Sequence, residues 1–201
     1  MKLTSLDQTM RVFETLNDTR ILPGMWVIVR LDGRNFTRLT KEKQQLEAPF
    51  DARFRDAMVE TTKHLMTCGI KCALGYTQSD EISLLLDRNE IGVARKERKL
   101  ISVLAGEASA RLTTELKTIA VMDARLSLLP SSENVEDYFR WRQQDATRNA
   151  LNGHCYWKLR GDGLSPRAAD KLLLGKTVSE KNELLFKRGT NFNELPLWQR
   201  R

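Results

Sequence analysis

The run "VIVRLDGRNF" places chemistry at the end of what should be a buried strand. Val27, Ile28 and Val29 are β-branched and head for a protein interior, yet the run empties into Arg30, Asp32, Gly33, Arg34 and Asn35. Asp-Gly by itself is an ordinary turn signal. The same residues also suit the rim of a site for a metal ion and phosphates. Gly33 lets backbone approach a ligand, successive amides of "DGRNF" can form an anion-binding nest, and Arg34 offers a fork for phosphate oxygens. Against this stands the simpler reading of a surface loop. A second acidic element, Asp80 and Glu81 in "GYTQSDEISLLL", sits between two strand-like runs. Carboxylates brought together repel one another and call for a cation. Mg²⁺ favours carboxylate oxygens together with substrate phosphates. Two such ions about 3.5–4 Å apart activate an attacking oxygen and stabilise a leaving one.

The elements that must position these residues follow from the hydrophobic pattern. "MWVIVRL" (25–31) is short, apolar and β-branched, which predicts a buried strand. "DARFRDAMVETTKHLMTCG" has helical spacing at Phe54, Ala57, Met58, Thr61, Leu65 and Met66, with Asp51 as N-cap and Gly69 as stop. "KCALGYTQ" and "EISLLLD" are strands separated only by "SD", a hairpin. An amphipathic helix runs from about Ile91 to Leu116, and "IAVMDARLSLL" supplies a fourth strand. The order predicts an α+β fold of the ferredoxin-like βαββαβ type. There the third strand lies between the first and second, antiparallel to both, so Asp32 and the Asp80–Glu81 pair should meet at one sheet edge.

What remains reads as helical. Ser132 caps "ENVEDYFRWRQQDATRNAL", Ser165 with Pro166 opens "PRAADKLLL", and Thr177 with Glu180 has capping-box spacing before "KNELLF". These segments are additional C-terminal helices. The expected organisation is a catalytic core over 1–130 and a helical extension over 131–201, in one compact unit without a linker.

Basic residues form a further set: Arg95, Lys96, Arg98 and Lys99 on the long helix, then Arg140, Arg142, Arg148, Lys158 and Arg160. A charged helix face is usually only solvated, but Lys96 and Lys99 share a face and could reach a triphosphate near the hairpin. "GKT" at Gly175 resembles the end of a P-loop, but Asp170 stands where its first glycine is required. His64, Cys68 and Cys72 have a zinc-like look without a fourth ligand, and core cysteines are the expectation. His154 and Cys155 lack a setting for nucleophilic catalysis.

The chain has 201 residues, a net charge of +7 and a pI near 9.5, which suits a polyanionic partner. Its three cysteines cannot all pair, and neither a signal peptide nor a run of about eighteen apolar residues is present. A cytoplasmic setting without a membrane is therefore expected.

Together, "VIVRLDGRNF", "GYTQSDEISLLL", "MDARLSLLPSSENVEDYFRWRQQDATRN" and "EKNELLFKRGTNFNELP" closely resemble the tRNA-histidine guanylyltransferase family, including its guanylyltransferase-like branch. The resemblance runs from about Leu22 to Trp198. It implies a polymerase-like palm, a homotetramer, and addition of nucleotides to the 5′ end of tRNA in the 3′-to-5′ direction. Asp32 and Asp80 would hold two Mg²⁺ ions with the carbonyl of Gly33, and Glu81 would stand beside them. Gly33, Arg34, Asn35, Phe36 and Thr37, with Ser79, would surround the first nucleotide. Arg30, Lys96, Lys99, Arg125, Asn149, Lys181 and Asn193 would serve a second triphosphate or the RNA 5′ end. ATP (or GTP) would activate a 5′-monophosphate, and the 3′-hydroxyl of an incoming nucleotide, often GTP, would displace the nucleoside monophosphate.

One departure bears on the branch. Histidine-specific members carry His-Ile-Asn-Asn after the "WRQxD" segment, where this chain has Thr147, Arg148, Asn149 and Ala150. That favours templated repair of 5′-truncated tRNAs over histidine-tRNA-specific guanylylation. A nucleotide cyclase would use the same palm and metals but would need no RNA, and a non-catalytic RNA-binding module would need no converging acids. Relatives generally continue beyond "NELPLWQRR", and whether a C-terminal segment follows here is left open by the sequence.

Overall fold

The computed structural model describes residues 4–40, 46–90 and 92–201. They fall into two compact units. The first comprises Met1–Arg34, Glu60–Tyr76 and Glu81–Ser131, and the second Asn35–Val59, Thr77–Asp80 and Ser132–Arg201.

The first unit is built on a four-stranded sheet. Its strands are β1 (Trp26–Gly33), β2 (Cys72–Gln78), β3 (Glu81–Leu86) and β4 (Met122–Leu129), in the order β2-β3-β1-β4. β1 is antiparallel to both β3 and β4, so the third strand lies between the first and second. Side chains alternate across a strand, but burial does not follow that alternation here: Ile28 between Val27 and Val29, and Ser83 between Ile82 and Leu84, are buried as well. Val29 and Leu31 of β1, with Ile82 and Leu84 of β3, are fully buried. The residues between them face the opposite side.

Helix α4 (Glu97–Leu116) packs against β4 and β1 through Leu100, Leu104, Ala108, Leu112 and Leu116, one residue per turn. Two of its hydroxyls reach the strand that follows: Ser109 Oγ accepts the Met122 N–H at 2.9 Å, and Thr113 Oγ1 that of Ala120 at 3.0 Å. The expected start near Ile91 lies outside the described residues. Val93, Ala94 and Arg95 have left-handed φ angles near 50°, so the helix begins only after them. Arg95 leaves the helix to donate to the carbonyls of Ile21, Leu22 and Glu90.

Helix α1 (Ser5–Thr15), which the hydrophobic pattern had not flagged, buries none of its residues. Helix α3 (Ala52–Leu65) and the β2–β3 hairpin contribute residues to both units. Asp51 is the expected cap: its Oδ1 accepts the Arg53 N–H at 2.8 Å and its Oδ2 that of Glu47 at 2.9 Å. Cys68 and Cys72 are half-buried rather than core residues; only Cys155 is buried. Cys68 lies in the chain reversal beyond α3, where Gly69 has a φ of 99°, and Cys72 opens β2.

The second unit has the short helix α2 (Phe36–Arg38) and three longer ones, α5 (Ser132–Gly161), α6 (Pro166–Leu173) and α7 (Val178–Phe186). α5 begins at Ser132 itself and runs on to Gly161, and Cys155 and Leu159 carry the apolar stripe of Ala150 and Leu151 into the core with Leu173, Leu184 and Phe192. Ser165 caps α6 ahead of Pro166, and Thr177 with Glu180 completes a capping box on α7. "GKT" is thus a helix junction: Gly175 takes a φ of 75° and Thr177 opens α7.

Candidate active site

β1 does not stop before Asp32; it runs through Gly33, so the aspartate is a strand residue and the Asp-Gly pair makes no turn. Asp32 is in register with Glu81 of β3 on one side and Asp123 of β4 on the other. Directly opposed residues point to the same face of a sheet, so three acids form a row across three strands. The next row on that face is Ser83, Arg30 and Arg125. Arg30 Nη2 donates to Asp32 Oδ2 at 3.1 Å and makes a close contact with Glu81 Oε1. Arg125 Nη2 donates to Asp123 Oδ1 at 3.3 Å.

Burial is the main cause that pushes the Asp32 carboxyl above the ordinary aspartate value. Glu81 adds to it, Arg30 pulls the other way, and Asp123 adds again. A carboxyl strained in this manner, with acids on both sides, attracts cations. Among the described residues no three acidic, imidazole or thiol side chains gather into a cage for a metal ion. Mg²⁺ commonly takes one or two carboxylates together with substrate phosphates, and Asp32 and Glu81 present that number with a cationic nitrogen already lodged between them.

The loop beyond β1 is partly spoken for. The Arg34 N–H donates to the Val121 carbonyl at 2.9 Å, which removes one amide from the expected anion nest. The Arg34 side chain is exposed, Asn35 takes a left-handed φ of 59°, and Thr37 is exposed. Phe36 is buried with its ring edge-on to Phe54, centroids 6.0 Å apart. At the hairpin Ser79 has a φ of 49° and donates to Asp80 Oδ1 at 3.2 Å, and Asp80 directly precedes Glu81.

The basic candidates divide. Lys96 is tied to Asp18, which also holds Arg98 and whose carboxyl is thereby lowered to about 2. Lys99 is exposed. Asn149 donates to Asp145 Oδ2 at 3.3 Å, and Arg148 also pairs with Asp145, so that the "DATRN" segment is stitched along α5. Lys181 is half-buried, its carbonyl accepting from the Cys155 thiol at 3.4 Å. Asn193 is exposed. Asp123 and Asp18 were missed by sequence reasoning. For Asp123 a signal existed: "MDAR" repeats in β4 the two-residue spacing of acid and arginine found in "RLD" of β1.

A model of the tRNAHis guanylyltransferase family matches residues 7–134, and one of the Thg1 C terminal domain matches 133–201. The chain belongs to the tRNA(His) guanylyltransferase family. The tRNA(His) guanylyltransferase of Debaryomyces hansenii is 35% identical over 187 residues, which cover 86% of this chain and 70% of that relative. A bacterial tRNA(His) guanylyltransferase (Thg1)-like protein solved in complex with ATP is 31% identical, with a TM-score of 0.84 over 98% of this chain and 86% of that one. Its counterpart in complex with GTP is 29% identical, with a TM-score of 0.75 over 98% and 82%. The named members of the tRNA(His) guanylyltransferase family are nucleotidyltransferases.

Proposed function

We propose that this chain is an Mg²⁺-dependent nucleotidyltransferase that lengthens the 5′ end of tRNA in the 3′-to-5′ direction, with ATP and GTP as substrates. The observation that carries the reading is the acid row Glu81–Asp32–Asp123 beside Arg30 and Arg125, in a chain whose relatives are named tRNA(His) guanylyltransferases and include proteins solved with ATP and with GTP. The strand order β2-β3-β1-β4 supports a ferredoxin-like palm, with residues 1–130 as the catalytic core and 131–201 as its helical extension.

Asp32, Asp80 and the carbonyl of Gly33 would hold the metal ions. Bound there, Mg²⁺ supplies charge stabilisation at the phosphorus and acidifies the attacking hydroxyl. The chain's own residues do the rest. Glu81 keeps negative charge beside Asp32. Arg30, Arg125 and Lys99 neutralise phosphate oxygens, which is most of what a protein contributes to phosphoryl transfer. Gly33, Arg34, Asn35, Thr37 and Ser79 surround the first nucleotide. In the overall reaction a 5′-monophosphate receives AMP from ATP with loss of pyrophosphate. The 3′-hydroxyl of the next nucleotide then attacks that 5′-phosphorus, and AMP leaves. The net charge of +7 suits tRNA, and we carry over a homotetramer acting in the cytoplasm.

Two substrates are supported. The names of the relatives point to histidine tRNA, whereas Thr147–Ala150 in place of His-Ile-Asn-Asn points to repair of truncated tRNAs. Incubation with Mg²⁺, ATP and single nucleotides separates them. Repair predicts that a tRNA lacking its first nucleotide gains the one that pairs with the opposing base, whatever the tRNA. Histidine-specific guanylylation predicts G alone, on full-length histidine tRNA alone.

A further inference from the structure

The carboxylates of Asp32 and Glu81 already hold a cation, and it belongs to the chain. Arg30 applies one nitrogen, Nη2, to both acids. The three side chains are mostly withdrawn from water, with 18%, 28% and 17% of the Arg30, Asp32 and Glu81 side chains exposed. Two facing carboxylates in such a place need a counter-charge, and stripping it away leaves them uncompensated. On its other side Arg30 is in register with Arg125, which Asp123 engages in turn. Two arginines thus stand abreast, each held by an acid of the neighbouring row.

Resting on the reading of Asp32 as a metal ligand, we propose that Arg30 is a displaceable counter-ion. It closes the Asp32–Glu81 pair while no divalent cation is bound, gives up the carboxylates when one arrives, and is then available beside Arg125 for the anionic phosphates of the nucleotide. While both carboxylates hold Nη2 the guanidinium's charge is already compensated, and a divalent cation that takes over the acids leaves that charge for a phosphate, so cation binding and anion binding favour each other through this side chain. Arg30 is therefore an exchange and positioning residue: in the resting site it competes with the metal, and in the loaded site it supports the phosphates.

The test uses Mn²⁺ as the probe, without nucleotide, on the full chain. Free Mn²⁺ is read by electron paramagnetic resonance for the wild type, Arg30→Gln, Arg30→Lys and Asp32→Asn. Wild-type binding should vanish in Asp32→Asn. Arg30→Gln should bind Mn²⁺ about tenfold more tightly than wild type because the competitor is gone, and Arg30→Lys, which keeps a cation there, should stay within about threefold. In chelator Arg30→Gln should melt below wild type, and saturating Mn²⁺ should raise its melting temperature by the larger amount. A reading that needs no variant is the arginine side-chain NMR spectrum of the wild type: the Arg30 Nε–H resonance should move as Mg²⁺ is added. Asp32-dependent binding that is equal or weaker in Arg30→Gln, or an Arg30 resonance that stays still, overturns the exchange and leaves the metal reading standing. Absence of Asp32-dependent binding in every protein overturns the metal reading and the exchange with it.

Discussion

Asp32 and Asp123 stand directly opposite each other across β1 and β4. Like charges so placed weaken a sheet, and a third acid, Glu81, flanks Asp32 on its other side. A fold that keeps such a row gives up stability for what the row does.

That cost is measurable in metal-free protein. The Asp32 carboxyl is raised above its ordinary value, first by burial and next by Glu81, so the folded state binds its proton more tightly than the unfolded one. Its contribution to stability is present at low pH and is lost as pH rises through the folded value. Asp32→Asn removes that loss. In chelator at pH 7 the variant should melt about 2–4 °C above wild type, the size of about 1 kcal/mol for a chain of this length. The gap should close below about pH 4, where the aspartate is itself protonated. A variant that melts lower than wild type at pH 7 would refute this account of the row.

Asp51 works in the opposite sense. Its carboxylate accepts from the Arg53 guanidinium and from the backbone N–H groups of Glu47 and Arg53. The Arg53 side chain is the largest cause, and together they hold its carboxyl well below the usual range. Stability from this group is present above the unfolded value of about 3.9 and lost as pH falls toward the folded one. Asp51→Ala removes a helix cap and leaves backbone donors unpaired, which should cost about 2 kcal/mol in urea denaturation at pH 7. Asp51→Asn, which keeps an acceptor, should lose less.

His154 gives a third pH response, nearer neutrality. It packs edge-on against Phe50 and Phe192, and its Nε2 lies 3.0 Å from the Gln199 carbonyl, which makes that nitrogen the donor. Burial lowers its pKa, and the Gln199 contact opposes this. The unfolded chain therefore takes up the proton first, and stability falls as pH drops below about 6.5. The urea midpoint of wild type should decline between pH 7 and 5 more steeply than that of His154→Gln, which keeps a donor but cannot titrate. Parallel slopes would remove His154 from the explanation.

Gly75 marks a close approach. A Cβ there would lie 2.8 Å from both Met66 Sδ and Thr62 Cγ2. Thr62 is itself buried. Gly75→Ala should therefore cost about 1–3 kcal/mol by overpacking, and Gly75→Val more, read as a lowered midpoint without loss of the folded spectrum at low urea.

Much of this was legible in the sequence for physical reasons. Val27–Val29, "EISLLL" and the Leu100–Leu116 stripe carry burial patterns that only strands and a helix satisfy. The resulting strand order puts Asp32 beside Glu81 without further information. Asp123 has no Gly-rich loop to advertise it, and the acid–arginine spacing of "MDAR" gains meaning only from its register with Asp32. Lys96 was read as available for phosphate because its partner, Asp18, lies 78 positions away, a distance that spacing rules do not span.

The most direct test of the central claim is extension of a 3′-labelled tRNA that lacks its first nucleotide, with Mg²⁺, ATP and all four nucleoside triphosphates, by wild type, Asp32→Asn and Asp80→Asn. Wild type should add one nucleotide at the 5′ end, and extension should fall at least about 100-fold in both variants, with their circular dichroism unchanged. Equal extension by Asp32→Asn, or none by folded wild type on either truncated or full-length histidine tRNA, would contradict that claim.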